Sequence, residues 1–108
     1  MRVTNPVSNL SLASGTSNSD SFTPSFIFDE DGVVQMGTAT AGTGTIRVQG
    51  RLSASAPWVD ITLTSAGATS HAISTTTSAY YLVPLFPHMR VQVTASSSIT
   101  GLNVWFGA

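Results

Sequence analysis

The chain contains no cysteine, which excludes disulfide staples, thiolate zinc sites and cysteine nucleophiles together. It also contains no lysine, and its four arginines and five acids leave a formal net charge of -1. That balance offers no electrostatic grip on nucleic acid or on an anionic membrane, so neither is expected as a partner. The longest apolar stretch, Ala79 to Leu85, is interrupted by Pro84 and falls far short of a membrane span. The opening Met1-Arg2-Val3-Thr4-Asn5-Pro6 leads into no apolar run of signal-peptide length, so synthesis in the cytoplasm is the expectation. Asn9-Leu10-Ser11 matches a glycosylation sequon, a triplet common by chance, and is read as incidental without a secretory context.

The scarcity of charge has a second consequence. Only 8% of residues are charged, whereas surfaces of soluble domains commonly carry charge on about a quarter to a third of positions. Edge strands are often guarded by lysine, and here none is available. Permanent assembly, with neighbouring subunits covering edges and apolar patches, is therefore expected over a free monomer wetted by hydroxyls.

In place of charge the chain has 16 serines, 15 threonines and 9 glycines, together with 10 valines and 5 residues each of isoleucine and phenylalanine. At 108 residues it is long enough for one core and too short for two. Threonine and the β-branched aliphatics favour strands, and no segment shows helical periodicity or an internal repeat. Residues 1–21 are polar and Ser/Asn-rich, with Val3, Val7, Leu10 and Leu12 as spaced apolar pegs. They read either as an extended arm and linker ordered on a partner or as a frayed terminus, outside the core in both cases, and removal of residues 1–9 is expected to leave the domain folded.

From Phe22 the pattern has period two. A first strand near an edge runs over Phe22 to Phe28, Asp29-Glu30-Asp31-Gly32 turns the chain, and Val33 to Met36 begins the next strand. Thr45 to Leu52 is the cleanest strand, with Ile46, Val48 and Leu52 expected inside and Arg47, Gln49 and Arg51 outside. Gly50 on the inward parity marks a bulge or a close backbone approach. Trp58 to Leu63 places Val59, Ile61 and Leu63 inside. Further strands follow at Ala72 to Thr77, Tyr80 to Val83, Met89 to Ala95 and Ile99 to Phe106. Seven or eight short antiparallel strands with frequent turns predict an all-β sandwich or jelly-roll-like domain over residues 22–108.

No pattern of catalytic residues emerges. The acids at 29–31 are followed by none until Asp60, so they cannot close a calcium loop and read as a solvated turn. His71 and His88 lack both a nucleophile elbow and an acidic metal cluster. Glycines 37, 42, 44 and 50 precede no helix, so they form no phosphate loop. No cofactor, metal or enzymatic activity is expected. Arg47 and Arg51 share one outward strand face, where they either meet a partner's carboxylate or stand in solvent. Trp58 and Trp105 alternate against core positions, which suits a protein contact or a sugar platform as well as packing under a loop.

Three stretches carry a resemblance: Thr45-Ile46-Arg47-Val48-Gln49-Gly50-Arg51, Pro57-Trp58-Val59-Asp60-Ile61, and Pro87-His88-Met89-Arg90-Val91-Gln92-Val93-Thr94-Ala95. Over about Thr45 to Phe106 the chain resembles the small β-sandwich decoration (cement) proteins of tailed-bacteriophage capsids, and similar domains occur in tails and fibres. Related sequences often carry an Asp/Gly turn before the tryptophan, where this chain has Ser53-Ala54-Ser55-Ala56-Pro57. The resemblance implies a non-enzymatic virion structural protein on the outer capsid surface, bridging neighbouring major capsid subunits, often as a homotrimer. The residues expected to contact partners are Arg2, Val3, Val7 and Leu10 of the arm, with Arg47, Arg51, Trp58 and Trp105 of the domain. The alternatives are a tail, fibre or adaptor component, and a carbohydrate-binding module using Trp58, Trp105, Tyr80 or Tyr81 with Asp60 or Asn103.

Overall fold

The computed structural model describes residues 2–24 and 31–108, and within them the chain is an all-β sandwich of two antiparallel sheets. Eleven strands are formed: β1 (Val3–Leu12), β2 (Gly15–Asn18), β3 (Asp31–Gly37), β4 (Gly44–Arg51), β5 (Val59–Asp60), β6 (Leu63–Ser65), β7 (Ala68–Ser70), β8 (Ile73–Ser74), β9 (Ala79–Pro84), β10 (His88–Ala95) and β11 (Ile99–Gly107). One sheet has the order β1-β11-β3-β9-β6-β7. The other has the order β2-β10-β4-β5, with β8 also pairing β4. The count exceeds the seven or eight expected over residues 22–108 because β1 and β2 lie before them and because the chain breaks into strands of two or three residues between 59 and 74.

Alternation places the core between the sheets. Ile46 and Val48 of β4 face Met89, Val91 and Val93 of β10 along their own sheet's inner side, and all five are fully buried. Val34, Met36, Val83, Leu102, Val104 and Phe106 close the core from the six-stranded sheet. Each such side chain contributes roughly 1.5–3 kcal/mol of burial, so the alternating strands supply most of the driving force. In β11 the backbone takes φ +68° at Gly101, which lets Ile99 and Leu102 both point inward although their spacing breaks period two. Gly50 is the expected close approach: a Cβ there would stand 2.6 Å from Phe86 Cγ and 2.9 Å from Ile61 Cδ1.

The first 21 residues are not a detached arm. β1 pairs β11 from Val3↔Gly107 to Leu12↔Ile99, and β2 pairs β10 from Asn18↔Gln92 to Gly15↔Ala95. Each forms one edge of its sheet, and Val7 is buried in the core with Leu10 and Leu12 packed against it. The polar composition concealed this strand because three register shifts and a left-handed Asn9 (φ 46°) interrupt its alternation.

Those irregularities also answer the shortage of lysine. Bulges and Pro6 twist and interrupt the β1 edge, while β7, β5 and β8 present edges of only two or three residues. Edges of this kind resist pairing with another chain without charge, so edge exposure by itself does not require assembly.

Other expectations shift. Leu52 is 73% exposed and Val59 47% exposed, both outside the core, because β4 ends at Arg51 and β5 lies at the sheet's rim. Phe22 forms an isolated bridge with Met89, and its ring packs 4.8 Å from that of Phe106. Thr23 and Pro24 form no strand, and residues 25–28 of the strand expected to Phe28, with the acids at 29 and 30, lie outside the described residues.

Candidate functional site

The two outer faces of the sandwich differ in chemistry. On the six strands of the larger sheet Asp31 is the single charged residue, whereas β4, β5 and β10 of the other sheet carry Arg47, Arg51, Arg90 and Asp60.

On the outer face of the larger sheet, where Asp31 is exposed on the parity of Val33 and Gln35, cross-strand register aligns Val3, Gly107, Val33, Leu82 and Thr64 in one row across five strands. The neighbouring row is Trp105, Gln35 and Tyr80. These residues alternate with the buried Val34, Met36, Val83 and Val104, so they point away from the core. Val3 is 65% exposed, Tyr80 62% and Leu82 41%. The Trp105 ring rests on Gly37, where any Cβ would stand 2.9 Å from Cζ3. The two rows together set the exposed Val3, Leu82 and Tyr80 on one outer face, with Val33 and Trp105 half-buried between them.

On the opposite face the same alternation builds a polar network. β4 and β10 pair in register, setting Arg51 against His88, Gln49 against Arg90 and Arg47 against Gln92. Asp60 enters from β5 beside Gln49. Arg47 Nη1 donates to Asp60 Oδ2 at 2.8 Å, and Gln49 Nε2 donates to Asp60 Oδ1 at 2.9 Å. Arg90 Nε in turn donates to Gln49 Oε1 at 2.8 Å. Gln49 points outward yet is only 8% exposed, because these neighbours cover it. The Arg47–Asp60 pair is itself open to solvent, and exposed ion pairs contribute about 0–1 kcal/mol. Its effect is to fix the position of Gln49 and, through it, of Arg90.

Trp58, in the loop before β5, completes the cluster. The guanidinium of Arg51 lies 4.2 Å from the Trp58 ring centroid and that of Arg90 lies 4.5 Å from it. Burial, and after it the charge of Arg51, hold the Arg90 guanidinium below its ordinary value, although arginine stays cationic at neutral pH. Arg51 Nη1 donates to the Ala54 carbonyl at 3.1 Å. Its Nε is sealed from solvent without a hydrogen-bond partner among the described residues. Further along the same face, Gln92 bonds Asn18 at 3.0 Å and the hydroxyls of Thr16 and Thr94 meet at 3.1 Å.

The residues expected from the sequence to contact partners thus fall into three places. Arg47, Arg51 and Trp58 come together on the arginine face, while Trp105 and Val3 lie on the neutral face. Val7 is buried and Leu10 packs against the core, so neither is offered to a partner. Arg2 is exposed, with its backbone tied to Ala108 by bonds of 2.7 and 3.0 Å. Sequence reasoning did not reach Arg90, Gln49 or Asp60 as members of one cluster, because Arg90 lies 41 residues from Gln49 and only strand register joins them. His71 Nε2 is 2.9 Å from Thr62 Oγ1. No group of three or more His, Asp or Glu side chains suited to a metal ion occurs among the described residues.

No family model, curated protein or solved structure matches this chain.

Proposed function

We propose that this chain is a non-enzymatic structural protein that attaches to a protein lattice, and specifically that it decorates a bacteriophage capsid by bridging neighbouring major capsid subunits. The observation that carries the reading is the neutral outer face of the six-stranded sheet. Its exposed Val3, Tyr80 and Leu82, with the ring of Trp105 beside them, lie on strands whose single charge is Asp31. A surface with one charge, Asp31 at its margin, buries apolar area against a partner with little desolvation of charge. The resemblance over Thr45 to Phe106 supplies the nature of the partner and the homotrimer as the unit of attachment. It also implies a position on the outside of the virion after synthesis in the host cytoplasm.

The sugar-binding alternative draws less support from Trp58, whose ring is already met by two guanidiniums. Copy number tests the reading. The chain is quantified against the major capsid protein in the particles with which it purifies. Hundreds of copies support decoration, a dozen or fewer move the protein to the tail or a vertex, and absence from particles overturns both.

A further inference from the structure

Among the described residues, the arginine face carries three arginines and one acid, Asp60. Asp60 forms its ion pair with Arg47 and accepts from Gln49, and it makes no hydrogen bond or ion pair with Arg51 or Arg90. Those two guanidiniums converge on one indole ring and lie close enough for Arg51 to disfavour the charged form of Arg90. Among the described residues, Arg90 bonds only through Nε, leaving the outer edge of its fork without a partner. Arg51 has a single bond, to the Ala54 carbonyl, and a sealed Nε that makes none.

Two like charges held against one indole ring with open donor edges are unfavourable alone and favourable with an anion beside them. The donors are also pre-positioned. The chain of bonds from Arg47 through Asp60 and Gln49 fixes Arg90 by one edge, and the Trp58 ring limits the rotation of both guanidiniums. Little side-chain freedom then remains to be lost when a ligand arrives.

We propose that Arg51, Arg90 and Trp58 form a carboxylate-binding site that takes an acidic side chain from a protein partner. Planar guanidinium forks match the two oxygens of a carboxylate. The rim favours a polypeptide over an acidic sugar. Leu52 stands 73% exposed at the end of β4, and Ala54 and Pro57 are exposed in the loop between Arg51 and Trp58. Tryptophan and arginine beside an apolar rim is the composition of a protein contact, and the Trp58 ring already carries cations where a sugar would stack. The site lies on the sheet opposite the neutral face, and it stands whether or not the lattice is a capsid.

The test is a titration of the full chain followed by NMR of the Arg51 and Arg90 Nε–H groups and the Trp58 indole N–H. The probe is a capped peptide of three leucine–glutamate repeats. Trigalacturonate and sodium chloride at matched ionic strength serve as comparisons. The peptide is expected to shift all three signals saturably, and R51Q and R90Q to weaken its apparent Kd by roughly tenfold or more. R90K keeps the charge, loses the fork and is expected to fall between, which guards against loss of fold as the cause. Equal shifts with chloride, tighter binding of trigalacturonate than of the peptide, or undiminished binding by the R51Q/R90Q double variant would overturn the proposal.

Discussion

The guanidinium of Arg90, on a central strand of the five-stranded sheet, stands 4.5 Å from the ring centroid of Trp58, which precedes the rim strand β5. The two are joined by register: β10 sets Arg90 against Gln49, and β4 sets Gln49 against Asp60, two residues beyond Trp58. The outer face of this sheet thereby concentrates three of the protein's four arginines in one place, while the other face stays almost free of charge.

Gln49 is the joint of that cluster. Q49L removes the acceptor for Arg90 Nε and the donor for Asp60 Oδ1 in a nearly buried setting. A loss of about 1.5–3 kcal/mol is expected, since both hydrogen bonds go to charged groups. Urea denaturation measures it, and the midpoint is expected to fall with an unchanged slope.

Thr75 is fully buried, and its hydroxyl has no hydrogen-bond partner among the described residues, although its backbone N–H bonds the Gly44 carbonyl at 3.1 Å. T75V keeps the shape and removes the unpaired group. Stability is expected to rise by about 1 kcal/mol, or about 5 °C in Tm, as read by thermal unfolding.

Gly50 faces Phe86 and Ile61 at distances that leave no room for a methyl group. G50A is expected to cost about 1–3 kcal/mol through overpacking, with the Phe86 ring displaced in the variant's NMR spectrum.

Removal of residues 1–9 takes away Val7 and the larger part of β1, and it uncovers the β11 edge. The truncated protein is expected to lose cooperative unfolding and to aggregate, with exposed dye-binding surface as the readout. A well-folded truncation product would return the segment to the role of an accessory arm.

The same physics explains which parts of the molecule were legible in the sequence. β4 and β10 alternate over eight residues and β11 from Leu102 to Phe106, so their inner and outer faces, including the outward arginines and the tight approach at Gly50, follow from period two. β1 escaped because bulges at three points shift its parity, and its few apolar residues looked like isolated pegs. Val59 and Leu52 were assigned inward because alternation was carried past the points where β4 ends and where the chain leaves β5 for the other sheet. Half of the arginine cluster, Arg47, Arg51 and Trp58, lies within twelve positions and was visible. The network that joins it to Arg90 depends on pairing between distant strands, which composition and local pattern do not encode.

The most direct test of the account's central claim concerns the neutral face. Purified chain is added to capsids lacking it, and bound copies are counted for the native protein and for the outward-facing variants L82D and Y80D. Both positions are solvent-exposed, so the variants are expected to keep the native fold in their amide spectra. The account predicts saturation at hundreds of sites for the native protein and a loss of roughly tenfold or more in affinity for each variant, from burying an unpaired carboxylate at the contact. Native-like occupancy by folded L82D and Y80D would contradict it.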